Sequence, residues 1–343
     1  MTVKELIARS KAAQAAFAFA TQEQADAAAR AICKVVYDNA EKLGPMAAEE
    51  SRMGSEQDKI AKCRNKSALI WESLKDKKSC DIINRIEERR MIEVAKPVGV
   101  VASIIPSTNP VVTPMSNGAF ALKCRNSVIF APHPRAVKCT KLLVEMFRAE
   151  LKKLGLPEDL VLGLEEVSND LTSELMSAAD MVVATGGMGM VKAAYSSGKP
   201  AIGVGQGNVQ CIIDEDADIA DAVGKIIIGR AFDNGLICLG EQTVFVPEDK
   251  EAEFVAEMKK QGGYLVEGEE NVDKLREGLF PGGDAFSRVV VGMFADQVSD
   301  EIGLGAPKGT RVLFAKAKAL GAGDVLCREK LCPVIAYMTY KTF

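Results

Sequence analysis

The sequence predicts an α/β protein in which a doubly wound, Rossmann-type unit is followed by a second α/β unit. Three observations predict it. From Val98 on, runs that are apolar throughout (VGVVASII at 98, SVIFAP at 127, LVLGL at 160, MVVATGG at 181 and AIGVG at 201) alternate with amphipathic stretches such as 135–154 and 187–197. Strands with no polar face belong in a parallel sheet covered on both sides. A second β/α series follows from residue 207, with VQCIID, TVFVP, RVVVGMF and TRVLFAKA as strands and 216–231, 250–262 and 269–279 as helices. Finally, 343 residues, 48% of them hydrophobic, are enough for two domains or one large α/β unit. The boundary is expected between residues 206 and 207.

The elements before Val98 follow in order. Residues 1–44 are Ala-rich with apolar residues at helical spacing, and read as two helices ended by Gly44-Pro45. Residues 46–80 read as further helix, carrying the only tryptophan, Trp71. Short β-type runs of mixed charge between Ile82 and Lys96 read as an antiparallel ribbon near 80–97. Such a ribbon needs a partner to cover it, so it is the expected oligomerisation element of a homodimer or homotetramer.

Several function classes are excluded. A net charge of −4, with both signs interspersed, provides no basic face for nucleic acid. The nine cysteines show no paired spacing, which fits reduced thiols in a cytoplasm rather than a disulfide framework. With one histidine in the chain, no metal-ligand set is visible. The N-terminus is charged and helical, unlike a signal peptide, and no apolar run approaches the ~18 residues of a membrane span.

Four stretches carry candidate chemistry. In FDNGLIC (232–238), Gly235 permits a turn and Cys238 follows on a loop between a helix and a strand. Loop amides can lower a thiol's pKa and stabilise an anion beside it. Read locally, Cys238 is more readily a small buried hydrophobe, the usual fate of a free cysteine. In IIPSTNP (104–110), Ser107, Thr108 and Asn109 lie past the C-terminal end of a strand, where doubly wound sheets bind ligands. The Asn109 amide is either a neutral donor for an oxyanion or part of an Asn-Pro turn. Thr185-Gly186-Gly187 and Gly205 place small residues where backbone amides can approach a phosphate. His133-Pro134-Arg135 follows the SVIF strand; the flanking prolines make His133 a positioning residue rather than a proton shuttle, and Arg135 supplies positive charge.

Together these stretches, with VKELIARSKAAQ near the start and DVLCREKLCPVIAY near the end, resemble the CoA-acylating branch of the aldehyde dehydrogenases along the whole chain. The resemblance implies an aldehyde dehydrogenase-like fold, with residues 1–206 as the NAD(P)-binding domain and 207–343 as the catalytic domain. It implies Cys238 as the nucleophile, Asn109 and the Cys238 amide as oxyanion donors, and NADP or NAD and CoA as cofactor and co-substrate. Ser107, Thr108, His133, Pro134, Arg135, Thr185, Gly186, Gly187 and Gly205 then line the cofactor site, and Glu329 lies near the nicotinamide ribose. KVVYDNAE, GKPAIGVGQGNVQ and EKLCPV are most like members that turn succinate semialdehyde into succinyl-CoA. Acetaldehyde, propionaldehyde and a sulfonated aldehyde remain alternative substrates, and a non-catalytic nucleotide-binding protein an alternative role.

Four departures sharpen the expectation. Val204 stands where hydrolytic relatives carry a general-base glutamate, which favours thiolysis by CoA. Ala136, beside Arg135, stands where NAD-specific relatives place a carboxylate against the ribose, which favours acceptance of NADP. Leu239 replaces a serine after the nucleophile, and Lys66, in the helix expected over 46–80, is either a surface lysine or the partner of an anionic substrate tail. Family members continue for on the order of a hundred residues past this end, so the catalytic domain is expected to be C-terminally incomplete.

Overall fold

In the computed structural model the described residues are 1–283 and 285–342; Phe343, the last residue of the expected catalytic domain, lies outside them. The chain divides into two compact units, one formed by 1–51 and 59–205, the other by 52–58 and 206–343.

The first unit opens with four helices: α1 (Val3–Phe17), α2 (Gln22–Asp38), α3 (Ala40–Ser51) and α4 (Glu56–Leu74). Thr2 and Thr21 start α1 and α2 with reciprocal capping boxes to Glu5 and Gln24. The expected stop at Gly44-Pro45 is not one, because α3 runs straight through it. Pro45 is the sixth residue of α3, so the helix runs on without the one hydrogen bond that its missing N–H would have made. Gly44 serves contact instead: a Cβ there would lie 2.6 Å from Ile60 Cγ1 and 2.8 Å from Ile60 N. The helix expected over 46–80 is broken instead at Arg52 and Gly54, both with left-handed φ.

β1 (Asp81–Ile86) and β2 (Met91–Ala95) form an antiparallel pair turned by Arg90 in the left-handed region. Both strands are largely exposed, so this ribbon contributes nothing to the core of its own unit.

The sheet that follows contains β3 (Val100–Ile104), β4 (Ser127–Ala131), β5 (Val161–Gly163), β6 (Met181–Thr185) and β7 (Ala201–Val204). All pairings are parallel and the spatial order is β5-β4-β3-β6-β7. The crossovers run through α5 (Val112–Lys123), α6 (Val137–Lys153), α7 (Asn169–Ala178) and α8 (Met188–Tyr195). Every residue of β3 and β4 is buried, as their apolar runs require. One core holds Ile32, Leu122, Phe130 and Phe147; a second holds Leu6, Ile104, Ile129 and Leu175. The chain order reverses between β3 and β6, and it is at the C-terminal edge of such a switch point that open α/β sheets bind their ligands.

The second unit repeats the doubly wound principle with β8 (Val209–Ile212), β9 (Glu241–Pro247), β10 (Gly263–Leu265), β11 (Val312–Lys316) and β12 (Val334–Tyr340) in the order β10-β11-β12-β9-β8, again all parallel. Its helices are α9 (Ile219–Ala231), α10 (Glu251–Lys260), α11 (Glu269–Leu279) and α12 (Ala295–Ile302). The expected strand RVVVGMF does not form. Gly292 takes a left-handed φ of 69°, and its carbonyl accepts from Gly54 N (3.0 Å) and Asn234 Nδ2 (2.9 Å) while its N–H donates to Leu331 O (2.8 Å). Those loop partners replace a strand ladder. The α/β class and the parallel, Rossmann-type sheets agree with the sequence reading.

Candidate active site

In the first unit the expected cofactor residues collect at one edge. Ser107, Thr108 and Asn109 follow β3, His133, Pro134 and Arg135 follow β4, Thr185 ends β6 with Gly186 and Gly187 after it, and Gly205 follows β7. Four separate sequence stretches therefore meet at the C-terminal edge of one parallel sheet, where its strand order reverses.

Asn109 is half-buried, and its side-chain carbonyl accepts from Lys62 Nζ at 2.8 Å. An ammonium only donates, so this contact fixes which way the amide faces and directs the NH₂ group elsewhere. Lys62, buried on α4, is a site residue that the sequence reading missed. Lys66, the expected substrate residue, lies one helical turn further along α4 and is half-buried. Both lysines sit at helical spacing on one face, and spacing alone does not say which one reaches Asn109.

The loop after β6 leads into α8, whose N-cap Gly187 offers no side-chain cap. A Cβ at Gly187 or Gly189 would meet nothing within 4 Å, so the backbone there is open to an approaching ligand. The loop after β4 differs. The first-turn amides of α6, Lys138 N and Cys139 N, donate to the Glu50 carboxylate at 2.7 and 2.8 Å. The Lys138 and Cys139 amides are thus already satisfied, which leaves the exposed Arg135 and Lys138 side chains as the positive charges at this corner. His133 turns back on its own loop, its Nδ1 accepting from Arg135 N at 3.1 Å.

In the second unit Cys238 is exposed, which overturns its reading as a buried hydrophobe. Cys33, Cys63, Cys80, Cys139, Cys327 and Cys332 are buried, and burial pushes the Cys33 and Cys332 thiols up to about 12. Cys124 is exposed as a residue, yet burial of its thiol still raises it. Leu239, beside Cys238, is largely in solvent.

The turn before Cys238 is held tightly. Asp233 and Asn234 both take left-handed φ values, 48° and 53°, and both are buried. Such successive conformations persist only when surroundings over-determine them. Here Asp233 N donates to Asp58 Oδ2 (2.9 Å), Asp233 Oδ1 accepts from Ser55 N (3.1 Å), and Asn234 Nδ2 donates to Gly292 O (2.9 Å). The peptide N–H of Cys238 makes no intramolecular hydrogen bond among the described residues, so it can donate to a developing anion.

Gly207 packs directly on the nucleophile: a Cβ there would lie 2.6 Å from Cys238 O and 3.1 Å from Cys238 Cβ. Gly207 N in turn donates to Glu329 Oε1 at 3.0 Å. Burial holds the Glu329 carboxyl above its ordinary value, against the lowering effect of that bond and of Arg230 and Lys330. Cys238, Gly207 and Glu329 thus share one edge of the second sheet, just before β9, β8 and β12.

The sequence pattern of the aldehyde dehydrogenase family matches residues 1–274. The chain belongs to that family. It is 48% identical over all 343 residues to the succinate-semialdehyde dehydrogenase (acetylating) of Clostridium kluyveri, covering 76% of that protein. Sulfoacetaldehyde dehydrogenases match at 40% identity. An acetylating aldehyde dehydrogenase from Geobacillus thermoglucosidasius has the same fold, with a TM-score of 0.92 at 37% identity over 99% of this chain and 75% of that one. Propionaldehyde dehydrogenase from Rhodopseudomonas palustris, solved with propionyl-CoA, gives 0.86 at 29% identity over 99% and 75%. NADP+ and CoA are each bound in solved relatives. This aldehyde dehydrogenase therefore falls in the CoA-acylating branch, and it spans about three quarters of the length of those relatives. No helix among its described residues is long and apolar enough to cross a membrane.

Proposed function

We propose that the chain oxidises succinate semialdehyde with CoA and NADP or NAD to succinyl-CoA, reversibly, through a thioester on Cys238. The observation that carries the proposal is the exposed thiol of Cys238 on an over-determined turn with an unspent peptide N–H.

The Cys238 thiolate adds to the aldehyde carbonyl and forms a thiohemiacetal. The new oxyanion is stabilised by the Cys238 N–H and the Asn109 NH₂ group, each worth about 3 kcal/mol in such sites. The loops after β3, β4, β6 and β7 would hold the dinucleotide, which when bound would accept the hydride. Loss of hydride from the thiohemiacetal leaves an acyl-thioester on Cys238. Acyl transfer to the CoA thiol releases the product and restores Cys238. In balance, aldehyde, CoA and oxidised dinucleotide give acyl-CoA, reduced dinucleotide and one proton. Val204 offers no base to activate water, so the thioester survives until CoA arrives.

The 48% relative supports succinate semialdehyde; the sulfoacetaldehyde relatives, at 40%, support a second reading in which a sulfonate replaces the carboxylate tail. Lys66 and Leu239 are the residues we assign to the substrate tail in either case. For the 2′-phosphate of NADP, the exposed Arg135 is the proposed partner, and the exposed ribbon β1–β2 is the proposed contact of a homo-oligomer.

The test is dinucleotide reduction with succinic semialdehyde, with and without CoA, and mass spectrometry of the product. CoA-dependent reduction yielding succinyl-CoA is expected. Equal rates without CoA would establish hydrolysis instead. Turnover of sulfoacetaldehyde in preference would move the substrate to the second reading. Cys238→Ala should abolish turnover and leave dinucleotide binding intact.

A further inference from the structure

Two cations in the second unit, Arg230 and Lys330, have no exposed surface at all. Buried cations ordinarily pair with a carboxylate. These two bond to backbone carbonyls. Lys330 Nζ donates to Leu326 O (2.6 Å), Arg328 O (2.9 Å) and Gln242 O (3.1 Å). Arg230 donates to Cys332 O through Nε (3.1 Å) and again through Nη2, to Lys330 O through Nη2, and to Glu241 O through Nη1 (3.3 Å). Lys330 N also donates to Gln242 Oε1 at 2.9 Å.

The nucleophile loop wraps around the guanidinium. A Cβ on Gly235 would lie 2.6 Å from Arg230 Nη2 and 2.6 Å from Cys332 O, and one on Gly240 would lie 3.5 Å from Nη1. Both glycines flank Cys238. On the other side, Glu329, next to Lys330, accepts from Gly207 N, and Gly207 packs on Cys238. The carbonyl cage of the two cations therefore closes a ring through Glu329, Gly207 and Cys238.

We propose that Lys330 and Arg230 are positioning residues of the reaction assigned to Cys238, fastening Glu329 and the nucleophile loop into one group through backbone carbonyls, and that this fastening requires Lys330 as an ammonium. The inference rests on that functional reading only for its kinetic consequence. The geometry supplies the charge state: three carbonyl oxygens need three N–H donors. A neutral amine has two, and its lone pair would face an oxygen.

The groups facing the pair set its pH range. Burial and the neighbouring Arg230 bring Lys330 down to about 7, opposed by Cys332, Cys327 and Asp324. Burial brings Arg230 down to about 10, opposed by Cys332, Glu241 and Glu329. Lys330 is thus the ammonium on the acid side of neutrality. A lysine whose folded value lies below its unfolded one makes opening harder as pH rises between the two, so the fastening is read at one slightly acid pH rather than from a pH step.

Hydrogen exchange read by mass spectrometry tests this without any substrate. At about pH 6.5, Lys330→Met should lower the protection of peptides covering 324–331 and 206–210 about tenfold relative to wild type, while a peptide covering β4 stays constant. The same substitution should raise the dinucleotide KM about tenfold, with a smaller loss in kcat. Unchanged protection of 206–210 in Lys330→Met, or an unchanged KM, would overturn the proposal. If the aldehyde assignment itself is wrong, turnover is absent and the local loss of protection is still present.

Discussion

The loop that carries Asn109 and the loop that carries Cys238 are held by opposite means. Asn109 projects from an ordinary strand-to-helix loop, and one charged contact from Lys62 orients its side chain. Cys238 follows two successive left-handed residues, and its turn is tied by one main-chain N–H and two buried side chains, and caged by Asp58, Ser55, Gly292 and Arg230. The difference follows from what each must present. A side-chain amide needs only its own rotamer fixed. A peptide N–H aimed at an oxyanion needs the backbone fixed, and backbone is fixed by turn geometry, glycines and carbonyl contacts.

The hardest test of the backbone-held side is the anchor of the segment leading to Glu329. Arg276 donates to both Asp324 oxygens (3.0 and 2.8 Å), and Asp324 also accepts from Lys318 N and Leu326 N. Burial alone would raise the Asp324 carboxyl, but these bonds together hold it below its ordinary value. Arg276→Met leaves a buried carboxylate uncompensated and should cost about 3–5 kcal/mol in chemical denaturation. The sign with pH follows from the depressed value. The stabilisation is full above the ordinary aspartate range and is lost as pH falls through the folded value. Thermal melts should therefore converge for wild type and Asp324→Asn in acid and separate at neutral pH.

Gly207→Ala comes next. The added methyl meets the Cys238 carbonyl, so the backbone of one loop must shift, and kcat should fall about a hundredfold with dinucleotide affinity changed far less. On the side-chain-held loop, Lys62→Met should lower kcat by about tenfold, less than Asn109→Ala, because the donor survives and only its orientation is lost. Equal effects of Lys62→Met and Asn109→Ala would break the comparison, since Lys62 would then act on more than rotamer choice. The smallest effect is expected at the third loop of the first unit. Glu50→Ala removes the cap of α6 and should cost about 1 kcal/mol in stability, leaving kcat unchanged.

Much of this arrangement was legible in the chain. The apolar runs of β3 and β4 form the covered strands their composition requires, and the short loops after β3, β4, β6 and β7 sit at one edge of the sheet, whereas β7, equally apolar, keeps Ile202 and Val204 exposed. Other elements were not legible. β12, bonded between β11 and β9 within the second sheet, lies in CPVIAYMTY, a stretch the periodicity left unassigned. RVVVGMF reads as strand by composition, yet Gly292 takes a left-handed φ and its peptide bonds to three loops. Gly44-Pro45 reads as a stop, yet the missing Cβ is needed where α3 meets Ile60.

By itself, then, the sequence determined the alternation that makes two parallel sheets, the place of the chain in the CoA-acylating branch and the candidate nucleophile on FDNGLIC, because these depend on residue type and local order. Tertiary structure decided which lysine of α4 reaches Asn109, that Glu50 closes the α6 helix end, and that Arg230 and Lys330 lie buried beneath the Cys238 loop. Those facts depend on which carbonyls and amides meet across residues far apart in the chain. Hydrogen-bond partners of that kind leave no period in a sequence.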